Sequence, residues 1–179
     1  LVTNTAAAAA MLTWGVLSQM QHRRMSAVGV MTAAVGGLVA ITPAAGYVGV
    51  MGGLAIGFGA GVLCYGTVLL RPKTGLDDSL DVFAVHGVGG IWGALATGIF
   101  AVAAIGGTAG LIEGNGRQMG IQAIGILATL AWSGIVTLII LKVLDLIPGL
   151  GLRASQVDED QGMDVAAHGE RATVHDGAD

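Results

Sequence analysis

Residues 25–70 read MSAVGVMTAAVGGLVAITPAAGYVGVMGGLAIGFGAGVLCYGTVLL, 46 consecutive positions without a charged side chain. A bilayer core takes about 20 apolar residues per helix, so a run of this length holds two spans rather than one. The break between them is Thr42-Pro43-Ala44-Ala45-Gly46-Tyr47, where proline and glycine interrupt a helix without adding charge. An uncharged turn of this kind is expected to be short and partly buried. On either side the pattern repeats. Residues 82–112 carry no charge beyond what His86 can acquire, and residues 118–141 carry none.

Composition agrees with the pattern. Charged residues make up 11% of the 179 positions and hydrophobic ones 54%, against roughly 25% charged in an ordinary soluble domain. Mean hydropathy is +0.76. The 31 glycines would weaken soluble helices, but they suit transmembrane helices that approach closely. The single cysteine excludes a disulfide framework, and Cys64, inside an apolar run, is expected to be a small packing residue. The N-terminal apolar stretch is not built as a secretory signal. Its basic residues, Arg23 and Arg24, follow the apolar segment instead of preceding it.

The fold class implied is all-α, a polytopic transmembrane bundle. Five helices are predicted at about 2–20, 26–41, 49–70, 81–104 and 118–147. Pro148-Gly149 then ends the last helix, and a polar, acidic tail follows. The domains are therefore a membrane part, 1–147, and a tail, 148–179. Arg23 and Arg24 follow the first helix, Arg71 and Lys73 the third, and Arg153 the fifth. By the positive-inside rule these loops and the tail are cytoplasmic, in a multi-pass protein of the cell membrane. Lys142, near the cytoplasmic end of the last helix, can snorkel.

Gly49, Gly53, Gly57 and Gly61 recur every four residues and predict a ridge for close helix packing. Gly87, Gly90 and Gly93 follow His86 at three-residue spacing, where a close neighbour would fix the depth of the imidazole. Asp81, a favoured capping residue, is the expected N-cap of the fourth helix. That puts His86 up to about 10 Å below the helix start, with Val82 on the same face. An ionisable group at that depth is costly unless it meets a cavity or a partner, which favours a functional role. A neutral histidine hydrogen-bonded to a neighbouring helix is the structural alternative. Asp77, Asp78 and Asp81 form a carboxylate cluster, but at a helix start on the cytoplasmic side capping and dipole stabilisation account for it. Trp14, Trp92 and Trp132 are expected to pack or to anchor at the interface.

Residues 81–93, Asp-Val-Phe-Ala-Val-His-Gly-Val-Gly-Gly-Ile-Trp-Gly, resemble a signature of the ammonium transporter family, specifically its Amt class. Residues 41–47 resemble a second signature. Asp77-Asp78, and Gly162-Met163-Asp164 with His168-Gly169-Glu170, agree in type and spacing. The resemblance implies the last five helices of an eleven-helix channel. It implies that ammonium loses its proton at an outer vestibule and that ammonia crosses a narrow apolar pore past two stacked histidines. His86 would be the second of these, Val82 would line the pore, and Thr42 is a weaker pore-side candidate. Asp77, Asp78 and Asp81 would border the cytoplasmic vestibule. The first histidine and the vestibule aromatics match no residue here. The implied partners are ammonium or ammonia, methylammonium, the lipid bilayer, two further copies in a homotrimer and a PII signalling protein at the cytoplasmic face. No cofactor, metal or nucleic acid is expected.

The tail is acidic through Asp158, Glu159, Asp160, Asp164 and Glu170, and by itself suggests a solvated segment. The resemblance implies that Arg153, Asp164, His168, Gly169 and Glu170 belong to a regulatory segment coupling subunits. Ala172-Thr173 stands where the family carries an aromatic. His168 and His175 resemble a metal pair only superficially. An ammonium sensor shares the pore residues and is the nearest alternative, and an unrelated secondary transporter with a buried histidine is another. An intramembrane enzyme would need a nucleophile or paired carboxylates at membrane depth, and the spans contain neither. A purely structural membrane subunit would tolerate the loss of His86.

Overall fold

Side chains small enough to let backbones touch decide how the helices assemble. The computed structural model describes residues 1–149 and 151–170, and among them every regular element is helical. α1 spans Val2–His22, α2 Ala27–Ile41 and α3 Val50–Leu70. A 3₁₀ turn, Arg71–Lys73, extends α3. A π-helical segment, Phe83–Val88, runs directly into α4, Gly89–Phe100. α5 is a single turn, Ala103–Gly106, and α6 covers Arg117–Asp145. In the tail α7 spans Gln156–Gln161, and a π turn spans Asp164–His168. Two compact units are resolved, Leu1–Thr129 and Leu130–Asp179.

In the first unit α1 packs against both α2 and α3, and α2 also meets α4. The glycine ridge of α3 is what admits α1. A Cβ at Gly53 would stand 2.9 Å from Val2 Cγ1, and one at Gly57 would overlap the carbonyl of Ala6. Gly37 does the same from α2, where a Cβ would lie 2.7 Å from Ala6 O. Gly49 is not part of this ridge: its backbone is extended and it sits at the N-cap of α3. Around these contacts Ala6, Ala40, Ile41, Ala44, Val48, Ile56, Ala60 and Ala96 form one buried cluster. Trp14, Ala33, Cys64 and Tyr65 form a second, in which the Trp14 and Tyr65 rings meet edge to face at 5.1 Å. Cys64 is buried, as its apolar surroundings suggest.

The connections are held by polar groups in the expected places. Ser26 caps α2 by accepting from the Gly29 amide at 3.1 Å. The 42–47 turn is mostly exposed, and only Ala44 within it is buried, at 0%, with Val48 just beyond it at 1% exposure. The fourth helix stops at Phe100, short of the predicted Ala104. Ala101 turns extended there, and the Val102 amide donates to Tyr47 O at 2.8 Å, which draws the chain out of the helix. Glu113 then accepts from the Ala103 amide at 2.8 Å and opens the short α5.

Three helical stretches among the described residues are long and apolar enough to cross a membrane: Val50–Lys73, Phe83–Phe100 and Arg117–Asp145. Of the five spans expected from the charge gaps, those at 2–20 and 26–41 therefore fall short of this criterion. α2 has 15 residues, about 22 Å of helix against a hydrocarbon core of about 30 Å. α1 is diluted by Thr3, Asn4, Thr5, Thr13, Ser18, Gln19 and Gln21. Both are held by packing, and Ala6 and Ala10 of α1 are fully buried. α6 is the opposite case, strongly apolar with none of its residues buried.

The second unit carries the tail elements. Ser155 caps α7, accepting from the Asp158 amide at 3.2 Å while its hydroxyl donates to the Asp158 carboxylate at 2.7 Å. Arg153 pairs with Glu159 at 3.4 Å. Gly162 and Gly169, with φ of 96° and 68°, bracket the π turn, as only glycine does readily.

Candidate functional site

His86 lies inside the π-helical segment and not, as predicted, in a regular α-helix begun at Asp81. Gly87, the glycine inside the segment, leaves the backbone freer there to widen the turn. Such segments recur at functional sites. The segment is anchored on one face and open on the other. Ala84 and Val85 are buried, whereas Val82, Phe83 and His86 are exposed. Gly89 packs toward Cys64 Sγ and Val39, and Gly93 lies against the Ala40 carbonyl. Of the three glycines expected to fix His86 against a neighbour, only Gly93 touches another helix. A Cβ at Gly87 would meet the Phe83 ring, and one at Gly90 would meet nothing within 4 Å.

The start of the segment is capped by Asp78, not by Asp81. The two Asp78 carboxylate oxygens accept from the Val82 and Phe83 amides, each at 2.8 Å, so two of the unpaired N–H groups of the first turn are satisfied. Asp81 stands instead in the left-handed region, at φ 56°. Its carboxylate lies 3.1 Å from Arg71 Nη1, and its carbonyl accepts from the Val85 amide at 2.9 Å. Arg71 also donates to the Asp78 carbonyl. Asp77 is exposed at the same turn. Arg71, considered in the sequence only as a topological charge, is thus part of the framework of the turn that precedes the His86 segment. A cavity of about 180 Å³ lies beside this turn, lined by Thr67, Leu70, Arg71, Thr74, Leu76, Asp78, Phe83 and Ala84.

Thr42 is exposed and its hydroxyl donates to Leu38 O at 2.6 Å. It is not brought to His86. Gly93 faces Ala40, so Thr42 is level with the turn after Gly93, about 14 Å along the helix axis from His86. Of the tryptophans, Trp14 is buried, Trp92 donates from Nε1 to Ile56 O at 2.9 Å, and Trp132 is 73% exposed. These are packing and surface positions. In the tail, Asp164, His168, Gly169 and Glu170 surround the π turn, with the Glu170 amide donating to Asp164 O at 3.1 Å. Ala172, Thr173 and His175 lie outside the described residues. No group of His, Cys, Asp and Glu side chains arranged to hold a metal occurs among the described residues.

An all-helical bundle with membrane-length apolar helices, tight glycine contacts and one histidine on an open helix face defines a polytopic membrane protein. Residues 1–173 match the Ammonium Transporter Family, and the chain belongs to it. Ammonium transporter Amt1 of Archaeoglobus fulgidus is 43% identical over 171 residues, covering 96% of this chain and 43% of that protein. The ammonium transporter of Aquifex aeolicus is 45% identical, covering 95% and 40%. The crystal structure of Saccharomyces cerevisiae Mep2 superposes with a TM-score of 0.81 at 39% identity, over 87% of this chain and 36% of that one. A structure described as a sensor Amt protein superposes with a TM-score of 0.80 at 30% identity, over 93% of this chain and 40% of that one. The chain thus spans about two fifths of the length of the curated relatives.

Proposed function

We propose that this chain is the C-terminal part of an ammonium transporter, in which His86 lines a path for ammonia across the membrane. The observation that carries the reading is the exposure of His86 on the open face of a π-helical segment, in a chain whose curated relatives are named ammonium transporters. A neutral imidazole offers one donor and one acceptor nitrogen, which suits hydrogen bonding to passing ammonia and to a second histidine contributed from outside this chain. Carrying the intact cation through an apolar pore would incur a Born cost of the order of tens of kcal/mol before relaxation. Deprotonation at the entrance removes most of that cost. It also separates ammonium from potassium, which has no proton to release. Val82, one turn before His86 and half-exposed, lines the same path.

In this proposal residues 1–147 are the membrane domain, and residues 148–179 are a cytoplasmic tail through which homotrimer subunits and a PII protein act. The clustering of Arg and Lys after α1, α3 and α6 supports that orientation. The transporter relatives cited are 39–45% identical and the sensor structure 30%, which favours transport over sensing. The test is the ammonium-evoked current of the complete protein in proteoliposomes. His86→Ala should lower it at least about tenfold, the loss of a hydrogen-bonding partner in the conducting state. An unchanged current removes His86 from the path.

A further inference from the structure

The start of the His86 segment is poorly held by packing. The 180 Å³ cavity lies beside it, and Val82 and Phe83 are 50% and 55% exposed. Leu70 and Leu76 line that cavity without filling it, so the position of this turn depends largely on its polar contacts. Those contacts converge on one side chain. Arg71, at the end of α3, reaches both ends of the Asp78–Asp81 turn, taking the Asp78 carbonyl and the Asp81 carboxylate. The same turn sets where the segment begins, because the Asp78 carboxylate holds the Val82 and Phe83 amides and the Asp81 carbonyl takes the Val85 amide.

We infer that Arg71 and Asp81 form a clamp that positions His86, tying the end of α3 to the register of the π-helical segment. This rests on the proposed role of His86 in the transport path. Arg71 and Asp81 remain 32% and 23% exposed, and partly exposed ion pairs add little to stability. The contribution of the clamp is therefore to geometry. Without it the segment can slide into the cavity beside it, the ladder can revert to α-helical spacing, and the imidazole moves out of line with the path.

The complete transporter is reconstituted with Asp81→Asn, with Arg71→Gln and with both, beside His86→Ala. Asparagine tolerates the left-handed backbone at position 81 and removes only the charge. Each single variant should lower the ratio of ammonium to potassium current by about tenfold, with assembly and unfolding midpoint unchanged. The double variant should be no worse than Arg71→Gln alone, which already removes the contact to Asp81 together with the one to the Asp78 carbonyl. Arg71→Lys should restore part of the ratio. A structure of Asp81→Asn should show His86 displaced and the π-helical register lost. Additive effects, unchanged ratios or an undisplaced His86 overturn the clamp, and variants that no longer assemble make the pair a folding element instead. If His86→Ala leaves the current intact, the pore reading fails, and the position of His86 in the Asp81→Asn structure still decides the clamp.

Discussion

Asp78 and Asp81 are three residues apart and of the same type, yet they do different work. Which of them caps the helix depends on the turn between them, and the left-handed backbone at Asp81 swings its own carboxylate away from the free amides. Residue type alone marks a cap at either position, which is why the sequence points to the cluster but not to the member. The cap has a measurable weight. Asp78→Ala leaves the Val82 and Phe83 amides without their acceptor and should cost about 1–2 kcal/mol, read as a lower denaturation midpoint in detergent, whereas Asp78→Asn should lose less. An Asp78→Ala variant as stable as the parent would mean that solvent satisfies those amides equally well. His86 itself was legible, because an ionisable side chain in a 31-residue stretch otherwise without charge stands out on cost alone. Arg71 was not, because its partners are brought to it only by the turn at 78–81.

Among the elements, charge gaps and the Pro43/Gly46 break place the helices well. α6 was expected at 118–147 and lies at Arg117–Asp145, and α2 was expected at 26–41 and lies at Ala27–Ile41. What the pattern does not encode is the slip of the ladder at Phe83–Val88. Hydrophobic periodicity is nearly blind to one extra residue in a turn when glycines occupy the positions that follow. The pattern also treats α1 and α6 alike as spans, while the structure gives them opposite surroundings. α1 is clasped by its neighbours, and α6 exposes Ile124, Leu127 and Leu138 at 69%, 66% and 63%. An apolar helix of this length that exposes such side chains suits lipid or further protein. Leu130→Arg, near the middle of α6, should therefore oppose insertion by about 2.5–3.5 kcal/mol, seen as a reduced inserted fraction in a glycosylation-mapping assay. Full insertion of that variant would show that position 130 does not lie at bilayer depth.

For the whole molecule, orientation is the property most exposed to test. The native Cys64 is buried, so cysteines introduced elsewhere report against a quiet background. Thr74→Cys and Ser155→Cys should react with an impermeant maleimide only from the cytoplasmic side, and Thr108→Cys only from the opposite side. Labelling of all three from one side would contradict the arrangement drawn from the basic residues. The family was legible because several motifs recur along the chain at the right spacing. The proposed two-histidine path was legible only in part, since no second intramembrane histidine occurs in these residues.

The glycine contacts between α1, α2 and α3 carry a mechanical consequence. Where backbones meet without a layer of side chains between them, sliding one helix along another drives Cα against carbonyl at every step. Those three helices therefore behave as a stator: neither axial shifts nor rotations among them are available to open or close a path. Movement in this unit is easier at the turn 74–83, which hydrogen bonds and one ion pair hold beside a cavity in place of backbone-to-backbone packing.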